Sequence, residues 1–165
     1  MFGKFAESWR LPAGSTGVGV RAKERHSFDI GPANYKEARN MVPEAARIRV
    51  LVAEDNDDIA TLLEMLLSGE EGLEWVGCVD EAAKVLAAVD RVAADVLLLD
   101  LELKGFSSIE VLRECQRSFP DLTVIILTGH SQPTVRQAAL AAGAADFLVK
   151  PDDLEKLGAR IRAAR

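Results

Sequence analysis

From residue 48 onward the chain alternates short, uninterrupted apolar runs with stretches of helical period. "IRVLVAE" (48–54) is β-branched and apolar and predicts a buried strand. "DDIATLLEMLLSG" follows with apolar residues at Ile59, Leu62, Leu63, Leu66 and Leu67, the spacing of one helix face, with Gly69 as the expected stop. "LEWVGCV" (73–79) predicts a second strand, and "DEAAKVLAAVD" a helix capped by Asp80. "DVLLLD" (95–100) and "LTVIILT" (122–128) predict strands buried on both faces. Between them "SSIEVLRECQRSF" predicts an amphipathic helix opened by Ser107 or Ser108 and stopped before Pro120. "SQPTVRQAALAAGA" predicts a helix with Pro133 in its first turn, "ADFLVK" the last strand and "DDLEKLGARIRAAR" the last helix.

Five β–α units in strict alternation imply an α/β fold. The expected architecture is a five-stranded parallel sheet, doubly wound and flavodoxin-like, with helices on both faces. Residues 1–47 fall outside this pattern and are expected to form an N-terminal extension to a domain at 48–165. Within the extension, Phe2, Phe5 and Trp9 share a helical face suited to docking on the domain, a copy of it, a partner or a membrane surface. The glycine-rich 14–19 stretch has no strand before it and no helix after it, so it is not a phosphate-binding loop.

Charge sharpens this division. Residues 1–47 carry 8 Lys/Arg and 5 Asp/Glu, a net of +3, whereas residues 48–165 carry 12 and 21, a net of −9. An acidic body is a poor phosphate-backbone surface, so no direct nucleic-acid partner is expected. No apolar run approaches the roughly 20 residues that span a bilayer. Cys78 and Cys115 are widely separated and read as buried reduced thiols, which fits a cytoplasmic location.

In such sheets ligands gather at the carboxyl ends of the strands. There the sequence sets Glu54-Asp55, Asp100, Thr128-Gly129 and Lys150-Pro151. Converging carboxylates repel one another unless a cation lies among them, and Mg²⁺ suits an all-oxygen set. A carboxylate is also a competent nucleophile toward phosphorus, with Lys neutralising the phosphoryl oxygens. Asp100 follows the most apolar strand and is the acceptor candidate. Asp57 and Asp58 read instead as first-turn residues that favour the helix dipole.

The motifs "VLVAEDN", "DVLLLDLELKG", "VIILTGH" and "DFLVKP", in this order, resemble those of the receiver domain of two-component response regulators over about residues 48–165. The resemblance implies that Glu54 and Asp55 hold Mg²⁺ together with Asp100 and the backbone carbonyl of Glu102. It implies that Asp100 is phosphorylated by a sensor histidine kinase or a histidine phosphotransfer protein. Thr128 and Lys150 then read and neutralise the phosphoryl group, and Phe147 is the switch aromatic. The face formed by the fourth helix, fifth strand and fifth helix would select a downstream protein, and homodimerisation is left open.

Two positions depart from the family pattern, with Lys104 and Ser108 standing where Pro and Gly are common. The loop after Asp100 is therefore expected to take another path, and Lys104 to alter the field near the acceptor. Glu102 faces the site, and its charge is expected to slow small anionic donors. Nothing follows the last helix, so the expected protein is a stand-alone receiver, a phosphoacceptor rather than a conventional enzyme. The alternative is a phosphorylation-independent adaptor. A phosphatase of the haloacid-dehalogenase type is rejected, because its nucleophile precedes its acidic pair.

Overall fold

The computed structural model describes residues 47–165; the expectations placed on the aromatic stripe and the glycine-rich stretch lie outside the described residues. The β-branched and leucine-rich runs form β1 (Ile48–Ala53), β2 (Leu73–Val79), β3 (Val96–Leu99), β4 (Thr123–Thr128) and β5 (Asp146–Val149). All pair in parallel in the order β2-β1-β3-β4-β5. The amphipathic stretches form α1 (Asp57–Gly69), α2 (Val85–Val92), α3 (Ser108–Ser118), α4 (Pro133–Ala141) and α5 (Leu157–Ala164). The expected doubly wound fold is what the chain adopts.

Side chains alternate across a strand, so each strand feeds two cores. Val50, Val52, Val96, Leu98, Ile125, Leu127 and Leu148 pack on Leu63 and Leu67 of α1 and on Leu157 and Ile161 of α5. Leu51, Ala53, Leu97, Leu99, Val124, Ile126 and Phe147 pack on the other side against α2, α3 and Ala139 of α4. Each face is covered, which is why the central strands carry no polar alternation.

The edge strand β2 departs from simple alternation. Val50 pairs with Trp75 but Leu51 pairs with Gly77, so the register shifts there, and Gly77 has φ 138°. The extra residue reverses the parity of the strand: Leu73 joins the α1/α5 core, whereas Val79 joins the α2/α3 core.

Several expected boundaries move. α1 runs through Gly69, and the left-handed residue is Gly72, φ 77°, directly before β2. Asp80 caps no helix. A 3₁₀ turn at Ala82–Lys84 precedes α2, and Lys84 draws Asp80 and Glu81 to itself at 2.9 and 3.0 Å. Ser107 stands at the α3 N-cap without a side-chain bond, and its carbonyl accepts from Glu110 and Val111. Asn56 is the cap that reading for Ser, Thr and Asp passed over. Its Oδ1 accepts from the Asp58 and Ile59 amides at 3.0 and 3.1 Å.

Candidate functional site

The order β2-β1-β3-β4-β5 makes the chain reverse direction between β1 and β3, so a crevice opens beyond their carboxyl ends. Glu54-Asp55 leave β1 on one side of that crevice and Asp100 leaves β3 on the other. Thr128 is the last residue of β4, and Lys150 is the first beyond β5. The ladder continues one bond past β3, with the Asp100 amide on the Ala53 carbonyl at 3.0 Å, so the acceptor candidate is held by strand pairing.

The centre of the site is Lys150. Its ammonium donates to Glu54 Oε2 at 2.7 Å and to Asp100 Oδ2 at 2.9 Å, with both carboxylates about 5% exposed or less. Burial works against the Lys150 charge, but the bonds to Glu54 and Asp100 outweigh it, and its pKa lies above the usual lysine range. Lys150 is itself fixed by its amide on the Thr128 carbonyl at 2.8 Å. The Lys150–Pro151 peptide is cis.

The remaining oxygens are also engaged. Glu54 Oε1 accepts from the Asn56 amide at 3.1 Å, and Asp100 Oδ1 from the Glu102 amide at 3.2 Å. Asp55 Oδ2 lies 3.3 Å from Lys104 Nζ. Thr128 is fully buried, and its hydroxyl oxygen accepts from the His130 amide at 3.2 Å. The His130 ring lies 3.2 Å from Glu102, joining the loops after β3 and β4 across the mouth of the site. Phe147 is buried in the core, with the Arg136 guanidinium 5.5 Å from its ring centroid and bonded to its carbonyl at 3.0 Å.

Asp100, Glu54 and Lys150 are thus in direct contact, and Thr128, Asp55 and Glu102 stand around them. Phe147 lies below in the core. Among the described residues no group of three or more His, Cys, Asp or Glu side chains is placed to hold a metal ion. The expected convergence of three carboxylates is instead relieved by an ammonium lodged between two of them. Asp55, Asp100 and the Glu102 carbonyl would together offer a hard cation an all-oxygen set. That set suits Mg²⁺, which takes few protein ligands and completes its octahedron with water. Cys78 borders this region, and burial pushes its thiol up to about 12, which disfavours the thiolate.

Ser108 lies in the first turn of α3, and its hydroxyl closes the loop after Asp100 on the Leu101 carbonyl at 3.1 Å. The positive φ falls on Gly105, at 108°. Sequence reading centred on Ser108 missed it, although "KGF" contains the signal.

Glu54, Asp100 and Lys150 thus meet at the switch-point edge of a doubly wound sheet, where such sheets bind their ligands. The response regulator receiver domain family matches residues 50–162. The chain belongs to that family. It is 32% identical over 115 residues to the response regulator GacA of Pseudomonas aeruginosa, covering 70% of this chain and 54% of that one. It is 38% identical over 116 residues to the transcriptional regulatory protein TcrA of Mycobacterium tuberculosis, covering 70% and 45%. The signal receiver domain of the response regulator NarL from Mycobacterium tuberculosis superposes with a TM-score of 0.65 at 28% identity, over 72% of this chain and 96% of that one. The chain spans about half the length of the curated relatives it matches. One of them is by name a transcriptional regulator, so the expectation of a stand-alone receiver without a nucleic-acid role finds no support among them. No helix among the described residues is long and apolar enough to cross a membrane.

Proposed function

We propose that this receiver domain takes a phosphoryl group onto Asp100 from a sensor histidine kinase or a histidine phosphotransfer protein. The observation that carries the reading is the Asp100 carboxylate, buried at the crevice and bonded at 2.9 Å to a lysine from the far strand. An Asp100 oxygen attacks phosphorus, the P–N bond of the donor phosphohistidine breaks, and the imidazole leaves with the electron pair. The product is an aspartyl phosphate. Lys150 then pairs with a phosphoryl oxygen in place of Asp100 Oδ2, and the Thr128 hydroxyl donates to another. Asp55, Asp100 and the Glu102 carbonyl would hold Mg²⁺, with Glu54 at the edge of that set; the ion supplies charge neutralisation of the transferring group.

Signalling would follow from Thr128 through Phe147 to the face of α4, β5 and α5, which selects a protein target in the cytoplasm. The second reading, an adaptor independent of phosphorylation, is favoured by one observation: Lys150 and Lys104 already engage all three carboxylates. Intact-protein mass after treatment with acetyl phosphate and Mg²⁺ separates the two. A Mg²⁺-dependent phosphoryl adduct on the wild type, absent from Asp100→Ala, is expected. No adduct with acetyl phosphate or with phosphorylated histidine kinases would favour the adaptor.

A further inference from the structure

Lys104 sits in the loop between β3 and α3, and that loop is pinned on the neighbouring segment. The Lys104 carbonyl accepts from the Ala82 amide at 2.9 Å. A Cβ at Gly105 would lie 3.6 Å from the Ala82 Cβ, and the residue's φ of 108° makes the backbone path costly for any other residue. The main chain is therefore held, while the Lys104 side chain is 73% exposed. Its ammonium lies 3.3 Å from Asp55, itself only 20% exposed.

The two lysines of the site differ in kind. Lys150 is buried between Glu54 and Asp100 by short bonds. Lys104 reaches Asp55 from the solvent side at 3.3 Å, across the rim of a cavity of about 470 Å³ also lined by Glu54, Trp75 and Cys78. Asp55 is thus the carboxylate whose counter-ion here is displaceable. Its neutralisation lowers the formal charge of Glu54, Asp55, Asp100, Lys104 and Lys150 to −1, against −2 without Lys104.

We infer that Lys104 is a tethered competitor for the divalent cation: its ammonium occupies Asp55 in the metal-free protein and must be displaced for the ion to bind. This rests on the reading that Asp55 and Asp100 hold a divalent ion. Lys104 thereby sets the ion concentration at which the acceptor becomes competent. Lys104→Met keeps the aliphatic stem and removes the charge, and Lys104→Arg keeps the charge. An exposed pair of this type supports an effect of about fivefold, and screening at high salt should shrink it.

Mn²⁺ is a suitable probe, since it accepts the same carboxylate, carbonyl and water ligands, and its free form is counted directly by electron paramagnetic resonance. With the full chain at low ionic strength, Lys104→Met should bind Mn²⁺ about fivefold more tightly than the wild type. Lys104→Arg should stay near the wild type, and Asp55→Asn should lose the site. Equal Mn²⁺ affinity in wild type and Lys104→Met, with binding still lost in Asp55→Asn, overturns the competitor role and leaves the metal reading standing. No Asp55-dependent binding in either protein overturns both.

Discussion

The two ends of the sheet treat charge in opposite ways. At the amino end, Arg49 donates through Nη1 to Glu74 at 3.0 Å, and its amide donates to Asp95 at 2.8 Å. Asp95 also receives Arg165 from the end of α5 at 2.7 Å. Two arginines face two carboxylates, and every member is partly solvated. At the carboxyl end three carboxylates share two lysines, and the pair at the centre is buried. Charge at the amino end is balanced and ties α5 and the strand starts together. Charge at the carboxyl end is left one positive charge short, under low solvation, where a cation has most to gain.

Paired substitutions test this contrast. Lys150→Met should slow phosphoryl transfer to Asp100 by about 10²-fold or more, the scale of removing a group that stabilises transition-state charge. Arg165→Met should leave transfer unchanged and cost at most about 1 kcal/mol in urea unfolding, as exposed pairs do. Equal losses of transfer in both variants would erase the distinction between the two ends.

Asp146, at the start of β5, belongs to the balanced end. Its partial burial opposes the charge, but the bidentate Arg160 pair (Nε at 2.6 Å from Oδ2) and the Phe147 amide at 2.7 Å hold its pKa below the ordinary aspartate range. The folded-state value lies under the unfolded one. Its contribution is therefore full above about pH 4 and is lost as pH falls through the depressed folded value. Asp146→Asn should cost about 1 kcal/mol at neutral pH, a modest figure because Arg160 is a third exposed. The gap between variant and wild type in urea midpoint should narrow on acidification. A gap independent of pH would mean that the ion pair contributes nothing.

Glu102 guards the mouth of the carboxyl end. Glu102→Asn should speed adduct formation from acetyl phosphate a few-fold by removing a charge that repels the donor; an unchanged rate would show that the Glu102 charge does not act on the donor. The smallest effect lies beside the amino end, two residues before Asp95. Ala93 closes α2 in a left-handed conformation, φ 45°, a place where glycine has no Cβ penalty. Ala93→Gly should raise stability by about 0.5 kcal/mol, because relief of that strain exceeds the added freedom of the unfolded chain. Calorimetric melting would reveal it.

Most of the elements were legible in the sequence because each carries its own period. A run such as "VLLL" has no polar face, so it belongs inside a covered parallel sheet whatever its neighbours. The candidate site was legible for a related reason. Once the strands are parallel, Glu54, Asp55, Asp100, Thr128 and Lys150 fall at one edge without any knowledge of strand order. The errors occurred where one segment answers to another. Asp80 looks like a cap in isolation, but Lys84 takes it. "LEWVGCV" reads as a regular strand, and the irregularity at Trp75–Gly77 exists only against the register of β1.

The sequence by itself determined the alternation of strands and helices, the two-faced core and the set of groups at the strand ends, since these depend on residue type and local spacing. The tertiary structure decided which groups meet. It set Lys150 between Glu54 and Asp100, carried Lys104 to Asp55 by turning the chain at Gly105, and put Phe147 under Arg136. Those contacts join residues up to 96 positions apart in the chain. Their geometry follows from strand order and loop path, which no local pattern of side chains encodes.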